Sequence, residues 1–351
     1  MKLSLRRWSA FTVTTMLISS SMWAQGSDAS SGLINRSAIA YSARSGKIYA
    51  VDSRHGAVMV MAPNGSAKTL ETGAGPVSIA MNERTDRVYV ANSADQSVAV
   101  IDGDTDKVVA TVPTAARPYA IAVDEVTNRV YVSNTFSDML TVIDGKTNNA
   151  SNLKTGSADA ILVDAQLGKV YLLGYESDSL TMLDEETHAT SKISTGAMHL
   201  WGLAQLGKTL YVTHVQDASV VAINTETHAM QEIATGAMPC ALAVDAERGE
   251  VYVANYADAS VSAIDARRGS IVWTVKIGGH PEAVAIDTAK HLLYVADAQE
   301  GSVNIIDTVQ RHMLKKLQVT GQPYALAIDE KTHRAFAATM GSTPYSGVNA
   351  Q

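Results

Sequence analysis

Two sets of residues in this chain have types and spacing that could do chemistry. One set reads Ser37, Val77, Tyr119, Asp159, His199, Cys240, Glu282 and Tyr324, and the other Asp52, Asn92, Asn134, Gly174, His214, Asn255, Asp297 and Thr339. Each member of the first set lies twelve residues before a recurring aromatic anchor, and each member of the second lies three residues after it. A scaffold position has a reason to keep its residue from repeat to repeat, whereas a site position has a reason to differ. Imidazole next to carboxylate suits a divalent cation, or a general acid/base pair acting on a small polar ligand. His199, His214 and Glu282 are the candidate metal ligands, and a divalent cation is the cofactor they would hold. The wider ligand-binding candidates are Tyr119, Asp159, His199, His214, Cys240, Glu282, Asp297 and Tyr324. Trp201, with Tyr119 and Tyr324, could add an apolar floor. Cys240 has less behind it as a nucleophile, because little in the sequence around it activates a thiolate. The competing account is that these are water-facing loop ends, polar and variable, with the Asn residues capping a turn. No catalytic residue is assigned.

The elements that must position these residues are set by the anchor itself. Tyrosine recurs at 49, 89, 131, 171, 211, 252 and 294, with Phe336 as the last member, at spacings of 40, 42, 40, 40, 41, 42 and 42 residues. So regular a period across the chain marks a repeat architecture. Within one period, "PVSIAM", "RVYVAN", "SVAVID" and "KVVATV" are short β-type runs bounded by Gly, Asn, Asp, Ser or Pro. Four strands in about 40 residues is the signature of a β-propeller blade. The fold class expected is therefore all-β, a β-propeller of four-stranded blades, with eight blades favoured over seven. The start of strand one lies beside the end of strand two in an antiparallel blade, so both sets should surround one mouth of the central channel. The last unit ends after "PYALAID" and "RAFAAT", and residues 25–36 are free to supply it with a missing outer strand.

The lines "VYVAN", "VYVSN" and "VIDGDTDKVVATV" resemble the YVTN-repeat β-propellers, including YncE-like secreted proteins, over about residues 37–340. The resemblance implies an exported propeller, commonly without assigned chemistry. Related propellers include lactonases and lyases, so it leaves an enzyme open. "VYLLGY" and "LYVTHV" depart from the motif, with Gly174 and His214 in place of its Asn.

Most other recurring polar residues read as turn formers. Asp102, Asp144, Asp184, Asn224, Asp265 and Asp307 close the third strand, and Asp124, Asp164, Asp245, Asp287 and Asp329 close the first. Their carboxylates suit the capping of tight turns and lack the spacing of a calcium loop. His188, His228, His291 and His333 stand in or beside the same turns and read as solvated.

Composition limits the functional classes. With 28 Lys and Arg against 35 Asp and Glu, and no basic cluster outside the N-terminus, nucleic acid is not an expected partner. A single cysteine removes haem-attachment, dithiol and Cys-rich zinc motifs. Residues 1–24 read as a secretory signal peptide, with Lys2, Arg6 and Arg7 ahead of a short apolar run. Residues 25–351 then form one propeller domain, expected to be a monomer in the periplasm or outside the cell, with no membrane span. The favoured function is a scaffold binding a protein or small-molecule ligand through its loop faces and funnel. Phe136, Tyr175 and Tyr256, in loops after the second strand, are the interface candidates. A metal-assisted lyase- or lactonase-like enzyme is the alternative.

Overall fold

The computed structural model describes residues 37–135, 137–329, 331–341 and 344–348. Phe136, the signal segment and residues 25–36 lie outside the described residues, and with them the expected outer strand for the last blade. Among the described residues the chain forms eight antiparallel sheets, seven of four strands and one of three. In every sheet consecutive strands pair in order, so each is a simple meander. Blade two, for example, runs Pro76–Asn82, Arg87–Asn92, Ser97–Asp102 and Lys107–Pro113. Among the described residues no helix is long and apolar enough to cross a membrane.

The ring closes at eight. The first strand of every blade packs on the first strand of the next, and Ile39–Tyr41 of blade one meets Gln322–Asp329 of blade eight. One apolar cluster spans that seam, joining Ala38 and Tyr49 to Tyr324, Phe336 and Ala338. The tail beyond "RAFAAT" is not spare chain: Tyr345–Val348 pairs with Ala335–Ala338 as the third strand of blade eight.

Burial explains the repeat. Second and third strands are buried on both faces, because each blade is covered by a neighbour on either side, and so they read as continuous apolar runs. Blades two and three interlock through Tyr89, Val98 and Val100 against Ile121, Val130 and Ile143. Fourth strands lie at the rim, largely exposed, and carry Lys, Thr and Glu. The anchor tyrosines are buried, and several reach the next blade. Tyr49 donates its hydroxyl to Asp106 at 3.4 Å, and Tyr131 to Glu185 at 2.7 Å.

The acidic turn residues behave as caps. Asp144 Oδ1 accepts the amides of Lys146 and Thr147, and Asp307 Oδ1 those of Val309 and Gln310. Asp124 and Asp329 do the same after first strands. His188 and His228 are exposed turn residues with positive φ. His333 departs from the solvated reading: its Nδ1 lies 3.0 Å from Asp287 Oδ2 in the preceding blade.

Candidate functional site

One end of the ring carries the hairpins between second and third strands and the linkers that lead into each first strand. Most first strands open there with a β-bulge. In blades two, three, six, seven and eight the extra residue is Val77, Tyr119, Cys240, Glu282 and Tyr324, members of the first candidate set. The bulge lets one more side chain emerge than a regular ladder allows.

Blade five breaks the count. Its first hairpin, Leu206 paired with Thr209, has two loop residues, where the equivalent hairpin of blade two, Asn82 paired with Arg87, has four. Counting back from Tyr211 therefore overshoots by two. Leu200 pairs with His214 as Pro76 pairs with Asn92, which puts Trp201 at the bulge in the place of Tyr119 and Cys240. His199 instead matches Gly75, Arg117 and Met238, all with positive φ, and its carbonyl accepts the amide of Val215 as theirs accept Ser93, Thr135 and Tyr256. A hairpin shortened by two residues, visible as "LGKT" against "NERTDR", was the available signal.

The second set lies at the same end but mostly beneath the surface. Asn92, Asn134, Asn255 and Asp297 are 0–1% exposed, and His214 and Thr339 are also buried. Their task is to tie the hairpin. Asn134 Nδ2 donates to the Val132 and Met139 carbonyls and to Thr141 Oγ1, and Asn255 Nδ2 donates to Ser260 and Ser262. His214 fills the same slot, and burial lowers its pKa. Asp297 Oδ1 accepts the amides of His280 and Glu300, while Oδ2 is buried with no partner among the described residues. Burial raises its pKa, opposed by the His280 amide.

What remains at the surface is an aromatic row. Tyr175 stands edge-on to His199, with centroids 4.9 Å apart, and to Trp201 at 5.3 Å. Trp201 and Tyr256 both pack on the small cluster of Cys240, Ala241 and Ala254. Tyr256 stacks on His280 at 4.3 Å. All five rings are half-buried. Glu282, also half-buried, helps raise the Tyr256 pKa, after desolvation as the main cause. Asp159 Oδ2 accepts the Tyr175 amide at 2.8 Å, and burial pushes its carboxyl up.

The structure thus brings together Tyr175, His199, Trp201, Cys240, Tyr256 and Glu282, in blades four to seven. Tyr324 is 5% exposed and belongs to the closing seam, and Tyr119 is half-buried in blade three. The Cys240 thiol donates to the Pro281 carbonyl at 3.3 Å, a link between blades six and seven. Among the described residues no three His, Cys, Asp or Glu side chains are close enough to hold a metal ion. His280 was not among the sequence candidates; its place directly before Pro281 at a blade entrance was the signal for it.

No family model matches the chain, and no curated protein matches it at a significant level. Solved structures do resemble it. One is BamB from Moraxella catarrhalis, with a TM-score of 0.66 and 16% identity over 86% of this chain and 92% of that one. Kuenenia stuttgartiensis hydrazine synthase aligns at 0.65 and 15% identity over 81% of this chain and 98% of that one. The dihydro-heme d1 dehydrogenase NirN, in complex with DHE, aligns at 0.66 and 14% identity over 80% of this chain and 65% of that one. At these identities the likeness is one of fold.

Proposed function

We propose that this chain is an exported propeller of the YVTN type that binds a ligand at the hairpin end of its channel, in the sector of blades four to seven. Export rests on the signal-like residues 1–24, and the YVTN reading on the repeated "VYVAN" lines. The observation that carries the binding reading is an asymmetry the fold does not require. Where blades four and six present Tyr175 and Tyr256, blades one, two and seven present Ser53, Ser93 and Ala298 at the equivalent hairpin position. At the bulge, blades three and five present the half-buried Tyr119 and Trp201, where blade two presents Val77 and the Tyr324 of blade eight is buried in the closing seam. A ring that closes with small residues at these positions does not need half-buried aromatics grouped on one side, whereas such a group with convergent polar side chains is what a binding site needs.

The test is a small-molecule library screened by thermal shift. Compounds that stabilise the wild-type protein should lose their effect on Trp201→Ala and Tyr256→Ala and keep it on His228→Ala, which changes an exposed turn of another face. The ligand-free melting temperatures of the three variants should stay close to one another. Stabilisation that persists in both aromatic variants would overturn the reading, as would purified protein carrying one tightly bound divalent metal per chain, which would favour the lyase- or lactonase-like alternative.

A further inference from the structure

The chemistry of this sector narrows the class of ligand. Its hairpins carry carboxylates at Glu176, Asp178, Asp217 and Asp258. Two lysines of the sector are engaged: Lys276 donates to the Asp258 carbonyl at 2.8 Å, and Lys316 pairs with Glu300. Below the Tyr256–His280 stack, Asp297 is 0% exposed and its Oδ2 has no hydrogen-bond partner among the described residues. That carboxyl is close enough for its charge to act on Tyr256. An unpartnered carboxylate oxygen held in a dry setting projects negative potential into the aromatic row above it. Indole and phenol rings present the negative face of their quadrupole to whatever sits on them, and they attract cations most strongly where water is excluded. An anionic ligand would meet repulsion from every one of these groups. A neutral ligand would draw nothing from the negative potential of these carboxylates.

We propose that the ligand of the mouth carries an alkylammonium group, seated on the row of Tyr175, Trp201 and Tyr256 with Glu282 and Asp159 as its counter-charges. This rests on the reading of the mouth as a binding site and specifies its chemistry. The same group exists on free amines and on lysine side chains, and the test separates the two sources.

Tryptophan fluorescence of the full chain provides the readout. Trp201 is half-buried in the row and Trp273 is buried at 8% exposure, so the difference between wild type and Trp201→Phe isolates the mouth signal. Choline and cadaverine are titrated against the neutral isostere 3,3-dimethylbutanol, and an acetylated Gly-Lys-Gly amide against its norleucine counterpart. The expected result is a saturable change with the ammonium probes, about tenfold tighter than with the neutral ones. It should weaken in Glu282→Gln and at high salt. Tighter binding of the free amines would assign the site to small molecules, and tighter binding of the lysine peptide to a protein partner; either supports the ammonium reading. Equal binding of the neutral isosteres would overturn it while leaving the mouth a binding site. Silence from every ammonium probe, in a protein whose library hits still depend on Trp201, would also overturn it. Silence from both probes and library would remove the site itself. Trp201→Phe must melt like wild type, and Tyr256→Leu serves as the second variant if it does not.

Discussion

Tyr131 and Tyr89 occupy the same position in successive blades, both essentially buried, yet their hydroxyls have different surroundings. Tyr131 donates to Glu185, which is 4% exposed, whereas the Tyr89 hydroxyl has no partner among the described residues. Tyr131→Phe would strip a buried carboxylate of a donor and should cost about 1–3 kcal/mol. Tyr89→Phe removes a hydroxyl that makes no such bond and should be neutral or mildly stabilising. Chemical denaturation of the two variants checks this, and equal losses would contradict it. The apolar packing of these rings was legible in the sequence from their period alone. Which hydroxyl meets an acceptor depends on the neighbouring blade, and no period within the chain reports that.

At the scale of the element, tight turns decide which residue reaches the mouth. Gly207 and Gly279 both have positive φ, 56° and 58°, but a Cβ at Gly207 would meet nothing within 4 Å, whereas one at Gly279 would fall 2.0 Å from Asp297 Oδ2. Gly207→Ala should therefore cost only the backbone term, about 1–2 kcal/mol. Gly279→Ala should cost clearly more, because the Asp297 carboxylate must move out of its buried slot. Thermal melts of the two variants give the comparison, and a Gly279→Ala protein no less stable than Gly207→Ala would show that the slot is soft. The Gly207 hairpin also set the limit of the sequence reading. Counting from the tyrosines picks out Tyr119, Cys240 and Glu282, which the structure puts at bulges, but the two missing residues of that hairpin hide Trp201 behind His199. The strand-two ring was read as surface because Asn, His and Asp are polar. The fold buries it, since Asn134 and Asn255 donate to hairpin carbonyls and hydroxyls and the Asp297 carboxylate accepts amides.

For the whole molecule, the carboxylates divide into two groups that respond to acid in opposite ways. Among the turn caps, Asp102, Asp144, Asp184 and Asp265 have lowered pKa values. Asp102 falls to about 2 through the amide and hydroxyl of Thr105 and the Arg87 guanidinium, and Asp144 is lowered by the amides of Thr147 and Lys146. A depressed folded pKa gives stability that is present above the unfolded value of about 3.9 and lost as pH falls through the folded one. Asp159, Glu185 and Asp297 are raised by burial, so protonating them favours the folded state. The formal charge of −7 also shrinks as pH falls. The melting temperature should rise from pH 7.5 toward about 5 and then drop between about 4 and 2 as the caps are lost. A melting temperature that fell steadily from neutrality would contradict this balance.

The sequence by itself determined the architecture. A 41-residue rhythm of apolar runs and acid-capped turns admits one kind of blade, because each run is too apolar to face water and each turn needs its own side-chain acceptor. It also located the end of the ring where residues vary. Only the tertiary structure decided that the ring closes at eight, that the C-terminal tail supplies a third strand to the last blade, and that Trp201 stands beside Tyr175 and near Tyr256. Those outcomes depend on contacts between blades and on hairpin lengths. Both are set by packing across the ring, whereas the period of the chain records only what happens within one blade.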